Sequence, residues 1–188
     1  MTLSSNLQTL VLGGGCFWCT EAVFVRVRGV LDVESGYANG HVARFPNPSY
    51  EAVCTGDTGY NEVVKLVYDP AQVSTRQLLE VFFAVHDPTT LNRQGNDVGT
   101  QYRSGVYFTQ PEQQTVALEL LAELAADAAY QSRGLKPVTE VEPLQHYVPA
   151  EAYHQDYFEQ HPHQGYCAFV VGPKVAKFTG VFKDLLKQ

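Results

Sequence analysis

Two cysteines three residues apart are the part of this sequence best suited to chemistry. The stretch Gly13-Gly14-Gly15-Cys16-Phe17-Trp18-Cys19 follows an apolar run and precedes residues with helical spacing. This pattern predicts that Cys16 lies at a strand-to-helix turn. The partial positive charge of a helix N-terminus favours a thiolate over a thiol. We therefore expect Cys16 to be an activated nucleophile.

The C-x-x-C spacing of Cys16 and Cys19 is shared by thioredoxin-like redox motifs and by one half of a zinc site. The chain has no second C-x-x-C, and only His161 and His163, near Cys167, could complete a metal site. We therefore expect no metal and no other cofactor. A thioredoxin-like disulfide oxidoreductase remains one alternative, in which the two cysteines suffice.

Phe17 and Trp18 place two large aromatic rings beside the sulfur of Cys16. The rings are equally compatible with a small apolar pocket and with ordinary core anchors. These two rings suggest a second alternative, a non-catalytic module that binds methionine-rich peptides.

The other two cysteines differ in their surroundings. Cys54 ends the apolar run Ala52-Val53-Cys54, which predicts a small buried hydrophobic residue. Cys167 follows a turn rich in proline and histidine, where a mobile thiol could reach another element. Position alone leaves open whether Cys167 is structural or redox-active.

A cysteine that attacks an electrophile with a poor leaving oxygen needs an acid and hydrogen-bond donors for that oxygen. Any one of the candidate residues taken alone is more simply interpreted as a solvated surface residue. The hypothesis of an acid and hydrogen-bond donors depends on their occurring together. The candidates are Glu62, Tyr50, Asp97 and Tyr102. A carboxyl group that acts as this acid would have to be kept protonated by a dry site, which raises its pKa.

Composition narrows the class of protein. Thirteen Lys and Arg against twenty Asp and Glu give a net charge of −7, which disfavours nucleic acid and anionic membranes as partners. The stretch Met1–Gln8 lacks a basic and apolar targeting pattern, and no apolar run approaches the ~20 residues of a membrane span. We expect one catalytic domain over residues 1–188, in the cytoplasm and monomeric.

The order of elements predicts an α+β fold. Helices are predicted over residues 16–28, 111–132 and 149–160, and from Ser74, which opens a capping box with Gln77. Residues 51–55 and 62–68 are predicted to form an antiparallel pair of strands. The expected architecture is a two-layer sandwich of helices on a mixed, largely antiparallel sheet, with a ferredoxin-like core and extensions.

Five blocks, in order, make the chain similar to the A type of peptide methionine sulfoxide reductases. They are Gly14-Gly15-Cys16-Phe17-Trp18, residues 47–62, residues 93–104, His154-Gln155-Asp156-Tyr157 and Gly165-Tyr166-Cys167. The resemblance covers roughly residues 10 to 170.

The resemblance implies a role for each matching residue. Cys16 would be the nucleophile, with Phe17 and Trp18 holding the S-methyl group of methionine sulfoxide, free or in proteins. Glu62 would protonate the sulfoxide oxygen, and this role predicts a raised pKa for its carboxyl group. Tyr50 and Tyr102 would donate hydrogen bonds to that oxygen, and Asp97 would shape the site.

The resemblance also implies a redox cycle. Methionine-S-sulfoxide would leave a sulfenic acid on Cys16, a second cysteine would convert it to a disulfide, and thioredoxin would reduce that disulfide; the restriction to one epimer is a property of this enzyme class. Cys19 stands where many members have glycine. Cys167 matches the usual recycling position and is favoured as the first resolving thiol, with Cys19 as its rival.

Overall fold

The computed structural model describes residues 6–188, and the first five residues of the Met1–Gln8 stretch lie outside the described residues. The strands are β1 Gln8–Gly14, β2 Val30–Ala38, β3 Asn61–Tyr68, β4 Arg93–Gln94, β5 Asp97–Val98, β6 Ser104–Phe108, β7 Glu140–Pro143 and β8 Tyr147–Pro149. The α-helices are α1 Phe17–Phe24, α2 Tyr50–Cys54, α3 Thr75–Val85, α4 Pro111–Ala126, α5 Ala128–Ser132, α6 Tyr157–Gln160 and α7 Gly172–Val181. Three 3₁₀ turns cover Thr100–Tyr102, Ala152–His154 and Lys183–Leu185, and a π-helical turn covers Cys167–Val171.

Six strands form one sheet in the order β7-β6-β1-β3-β2-β8, and β4 pairs with β5 separately. All neighbours in the large sheet are antiparallel except β6 and β7. Strands β1, β2, β3 and β6 lie in the order β6-β1-β3-β2, with α1 after β1 and α3 after β3. This is the split βαβ arrangement of ferredoxin-like folds, so the predicted core is confirmed.

The helices cover one face of the sheet. Leu10 and Leu12 of β1 point into a large core that includes residues of α1, α3 and α4, whereas Val11 between them faces the opposite side. This alternation is what the twofold period of a strand requires. The two-layer prediction is therefore confirmed, and none of the helices within residues 6–188 is both long enough and apolar enough to cross a membrane.

The register of the central strands brings three chain segments to one edge of the sheet. Leu12 pairs with Val64, and Gly14 pairs with Ser104. Because these pairs are antiparallel, β1 ends where β3 and β6 begin. Cys16 therefore follows β1 at the edge where Glu62 enters the sheet.

Helix α1 is shorter than predicted, since it ends at Phe24 and not at residue 28. Val27 forms an isolated antiparallel bridge with Leu186, which draws the backbone out of the helix. The chain then turns at Gly29, whose φ of 83° is favourable only for glycine.

The predicted strand over residues 51–55 is wrong, because this segment is helix α2. The Ser49 side chain accepts a hydrogen bond from the Ala52 backbone N–H at 3.2 Å and so caps the helix. Strand β3 pairs instead with β1 and β2. As a result Cys54, predicted to be buried, is exposed.

Two predicted long helices are interrupted. The helix predicted over residues 111–132 breaks at Asp127, whose side chain accepts hydrogen bonds from the N–H groups of Ala129 and Tyr130 and starts α5. The helix predicted over residues 149–160 is a 3₁₀ turn followed by the short α6. Asp156 separates them because its φ is 53°. The capping box of α3 at Ser74 is confirmed.

Gly13 offers a test of how tightly the edge of the sheet is packed. A Cβ atom at this position would lie 2.2 Å from Nδ2 of Asn61, the residue before Glu62. We expect Gly13→Ala to lower the free energy of unfolding by about 1–3 kcal/mol. Chemical denaturation measures this change. Gly180→Ala is the control, because a Cβ there meets nothing within 4 Å; equal effects of the two substitutions would refute the packing argument.

Candidate active site

Cys16 occupies the N-cap position of α1, directly after the turn at Gly15. Gly15 has a φ of 92°, a conformation that side chains rarely adopt. The Cys16 side chain is partly exposed, whereas Cys19 is 2% exposed. The Cys19 backbone N–H donates to the Cys16 carbonyl oxygen at 3.1 Å, which closes the first turn. Cys16 is therefore the more exposed residue of the pair.

Glu62 places a buried carboxyl group beside this turn. Its Oε2 accepts a hydrogen bond from the Phe17 backbone N–H at 3.3 Å, while its Oε1 has no hydrogen-bond partner. Burial is the largest cause that raises the pKa of Glu62, and the nearby Asp97 adds to it against the lowering effect of the Phe17 N–H, so that the pKa is about 8. The predicted rise is confirmed, and Glu62 is predominantly protonated at neutral pH.

Tyr50 and Tyr102 flank the same carboxyl group. Burial is the largest cause that raises the pKa of each, and Glu62 is among the charged groups that raise both. Tyr102 also experiences the charge of Cys16. Both hydroxyl groups stay protonated and can donate hydrogen bonds to an oxygen bound between them and Glu62.

The pKa values of the two thiols of the C-x-x-C pair differ from the prediction that Cys16 is the activated thiol. The hydrogen bond between them raises the pKa of Cys16, as do burial and Glu62. The same hydrogen bond lowers the pKa of Cys19 to about 7. Helix position alone predicts a thiolate on Cys16, but the structure favours Cys19, because Cys16 is the donor and lies next to a carboxyl group.

Contacts with Tyr157 and His154 fix the side chain of Trp18. Its ring stacks on Tyr157 with centroids 3.7 Å apart and planes 4° apart. Its Nε1–H donates to Nδ1 of His154 at 3.2 Å. Phe17 is 1% exposed and packs against His154 with centroids 5.0 Å apart. Trp18 is thus held in place and half-buried, and Phe17 lies in the core against the same histidine.

Asp97 is joined to the cysteine pair through a tyrosine. The Tyr166 hydroxyl donates to Oδ2 of Asp97 at 2.6 Å and lies 3.9 Å from the Sγ of Cys19. Tyr166 also meets the ring of Trp18 edge-on, with centroids 6.0 Å apart. The segment before Cys167 is therefore tied to both Asp97 and α1.

Cys167 is fully buried and packs in one cluster with Cys19, Ala22 and Val171. Its burial shows that it does not sit on an exposed mobile turn in this structure. Cys54 is exposed. Partial desolvation of its thiol and the charge of Glu62 raise its pKa, against the lowering effect of a Tyr50 hydrogen bond.

The structure brings all nine predicted site residues to one edge of the sheet. Three further residues were not predicted: His154, Tyr157 and Tyr166. They lie in blocks that carry the family resemblance, but they reach α1 across more than a hundred residues of chain. Local periodicity carries no signal of such contacts, so only the blocks themselves could have indicated these residues.

The sequence profile of the family described as peptide methionine sulfoxide reductase matches residues 8–185. Peptide methionine sulfoxide reductase MsrA of Polynucleobacter asymbioticus is 56% identical over 184 residues, which cover 96% of this chain and 94% of that protein.

Solved structures agree with the sequence matches. Methionine sulfoxide reductase A of Corynebacterium diphtheriae gives a TM-score of 0.80 at 37% identity and covers 90% of this chain and 81% of that chain. The reduced form of Mxr1 from Saccharomyces cerevisiae gives a TM-score of 0.76 at 35% identity and covers 87% of this chain and 91% of that chain. Mxr1 in complex with Trx2 matches at 24% identity with a TM-score of 0.53, over 82% of this chain and 86% of that chain, which shows the fold alone.

The order of ionisation of the two thiols can be measured from thiolate absorbance near 240 nm. We expect the reduced protein to show a thiol that titrates near pH 7, because Cys16 donates a hydrogen bond to the Cys19 thiolate. Cys19→Ala should remove this transition, and Cys54→Ser should retain it. A transition near pH 7 that survives in Cys19→Ala would assign the low pKa to Cys16 and contradict the structural assignment.

Proposed function

This chain belongs to the peptide methionine sulfoxide reductase family, and on that basis we propose that Cys16 reduces methionine sulfoxide by thiolate attack on its sulfur. The observation that carries this proposal is the free Oε1 of Glu62, buried beside Cys16 in a carboxyl group with a pKa of about 8. An acid in this place can give a proton to the sulfoxide oxygen at neutral pH.

The proposed reaction conserves atoms and protons. Cys16 loses its proton and bonds to the sulfoxide sulfur while Glu62 protonates the sulfoxide oxygen. The oxygen then moves to the Cys16 sulfur as a hydroxyl group, and methionine leaves. Sulfur is reduced in the substrate and oxidised in Cys16, which becomes a sulfenic acid. The proton that Cys16 lost passes to Glu62 in place of the one that Glu62 gave, so no net proton enters from solvent.

The remaining groups hold the substrate. Tyr50 and Tyr102 donate hydrogen bonds to the sulfoxide oxygen, which develops negative charge as the sulfur is attacked. Phe17 and Trp18, which both pack against His154, hold the S-methyl group. Asp97 shapes the site through its bond to Tyr166. Together they offer one apolar wall and one hydroxyl-rich wall.

These two walls suit a chiral sulfoxide. Oxygen on one wall and methyl on the other leave one direction for the rest of the methionine. We propose that the S epimer is the substrate, free or within proteins, in keeping with the restriction of this enzyme class to one sulfoxide epimer.

Recycling requires two electrons from outside the site. A second cysteine, Cys19 or Cys167, converts the sulfenic acid into a disulfide, and we propose a thioredoxin as the dithiol that reduces it. Mxr1 has been solved with Trx2 bound. Reduction by a thioredoxin is consistent with the reducing cytoplasm, where we place this protein. All the proposed groups come from one chain, so a monomer suffices.

A single turnover tests the function. Fully reduced protein is mixed with a methionine-S-sulfoxide peptide in the absence of reductant, and methionine and thiols are counted. We expect at least about one methionine per chain as thiols disappear, and none from the R epimer. Cys16→Ser should form no methionine, whereas Cys54→Ser should behave like the wild type. Methionine formation by Cys16→Ser would refute the proposal.

Replacing Glu62 tests the acid. Glu62→Gln keeps a hydrogen-bond donor but cannot transfer a proton, so we expect methionine formation to slow by about 10²–10⁴-fold. In the wild type the rate should fall as pH rises through about 8, because the carboxyl group with that pKa loses its proton. Glu62→Gln should lack this dependence on pH.

The exposed Glu119 of α4 supplies the matched control, since Glu119→Gln makes the same chemical change away from the site. Circular dichroism checks that both variants are folded. A folded Glu62→Gln protein with a rate within a few-fold of the wild type would exclude Glu62 as the acid.

A further inference from the structure

Four consecutive residues of the C-terminal part of the chain, residues 154–157, lie against helix α1. The first and the last of them hold the Trp18 ring, because its Nε1–H donates to His154 and its face stacks on Tyr157. His154 is buried and Tyr157 is partly buried. The backbone between these two residues must therefore keep a fixed position relative to α1 if Trp18 is to keep both contacts.

The side chain of Gln155 binds this segment to strand β2. Its Oε1 accepts a hydrogen bond from the Ser35 backbone N–H at 2.9 Å, and its Nε2–H donates to the Ser35 carbonyl oxygen at 2.9 Å. The same amide nitrogen donates to the Ala150 carbonyl oxygen at 3.2 Å. Ser35 precedes Gly36, which pairs with Pro149 of β8. Gln155 thus continues the pairing along β2 through a side chain.

Glu21 faces the same segment from α1, one turn after Trp18. Its side chain is buried, and no lysine or arginine within residues 6–188 forms an ion pair with it. Burial is the largest cause that raises the pKa of its carboxyl group, which is about 7, while the backbone N–H groups of Asp156 and Tyr157 lower that pKa. The Glu21 carboxyl group therefore faces the backbone that leads into α6.

The backbone at Asp156 has a conformation that depends on contacts from its surroundings. Its φ of 53° is uncommon for a residue other than glycine, and its own side chain does not cap α6. Such a conformation persists where neighbouring groups fix it. Gln155 fixes the residue before it to β2, and Glu21 faces the N–H groups at the turn itself.

We propose that Gln155 and Glu21 are positioning residues that set the orientation of the Trp18 ring and, through it, the affinity of the site for the S-methyl group of the substrate. Both act through the backbone of residues 154–157, which carries His154 and Tyr157. The inference rests on the proposed function, in which Trp18 helps to hold that methyl group.

Displacement of the Trp18 ring should affect binding more than the chemical step. An apolar wall contacts the methyl group both before and during the reaction, so its loss weakens the bound substrate and the transition state alike. The contact of a pocket with one methyl or methylene group is worth roughly 10- to 200-fold in discrimination between substrates. Cys16 and Glu62 carry the chemical step from α1 and β3, which Gln155 does not hold.

Single turnovers of Gln155→Glu test the proposal. The new carboxylate has the shape of the amide but repels the two carbonyl oxygens to which Gln155 donates. Reduced protein is mixed with methionine-S-sulfoxide peptide at several concentrations without reductant. We expect the half-saturating peptide concentration to rise at least about fivefold, with a limiting rate within about threefold of the wild type. Gln131→Glu, at an exposed position of α5, is the control.

Trp18 supplies an independent readout, because it is the only tryptophan of the chain. We expect Gln155→Glu to shift the fluorescence emission of the substrate-free protein to longer wavelength, since the ring leaves Tyr157 and contacts water. Gln131→Glu should keep the wild-type spectrum. Circular dichroism checks folding, and Gln155→Met, which removes the same hydrogen bonds without adding a charge, replaces Gln155→Glu if that variant does not fold.

Two substitutions test Glu21 in the same assays. Glu21→Leu leaves the N–H groups of Asp156 and Tyr157 without this acceptor, so we expect the same two effects as for Gln155→Glu. Glu21→Gln keeps an acceptor oxygen and should show a smaller effect than Glu21→Leu. Glu119→Leu is the control on the exposed face of α4. Equal effects of the two Glu21 substitutions would remove Glu21 from the proposal.

A folded Gln155 variant with the wild-type emission spectrum and half-saturating concentration would overturn the proposal. A lower limiting rate with an unchanged half-saturating concentration would overturn it as well. The absence of methionine from the wild type would instead refute the proposed function, and the emission spectra would still report the position of Trp18, so the two failures are distinguishable.

Discussion

The burial of the Glu62 carboxyl group is the constraint on which the site depends. An ionised carboxylate loses several kcal/mol of hydration when it is taken out of water, so burial holds this group in its neutral form. The cause is the fold, because Glu62 enters the sheet at the edge where β1 ends and α1 begins. The packing that excludes water from this edge therefore also sets the proton affinity of the acid.

The same edge explains why residues from distant parts of the chain meet. Antiparallel pairing puts the end of β1 next to the starts of β3 and β6, and the segments that precede those strands carry Tyr50 and Tyr102. The C-terminal segment then closes over α1 through the stacking of Tyr157 on Trp18. A ferredoxin-like core supplies the rigid edge, and its extensions supply most of the chemistry.

The sequence could predict what depends on local pattern. An apolar run, three glycines and helical spacing predicted the turn at Cys16, and the capping box at Ser74 predicted the start of α3; both are present. The short apolar run that ends at Cys54 wrongly predicts a strand, because three apolar residues do not distinguish a strand from one helical turn. Only the Ser49 cap decides between them.

Tertiary properties could not be predicted in this way. The low pKa of Cys19 arises from a hydrogen bond between two side chains and from the charge of Lys174, which lies far along the sequence. The Trp18 wall depends on His154 and Tyr157, more than 130 residues away. The family resemblance identifies the blocks that contain these residues, but it does not predict which residues they contact.

The most direct test of the central claim is the ionisation of Glu62 itself. Glutamate labelled with ¹³C at the carboxyl carbon reports each side chain by NMR, and the spectrum of Glu62→Gln identifies the Glu62 resonance. The account predicts that this resonance titrates with a midpoint near pH 8. A midpoint below about 5, close to that of an exposed glutamate, would show that the group is ionised at neutral pH and would contradict its role as the acid.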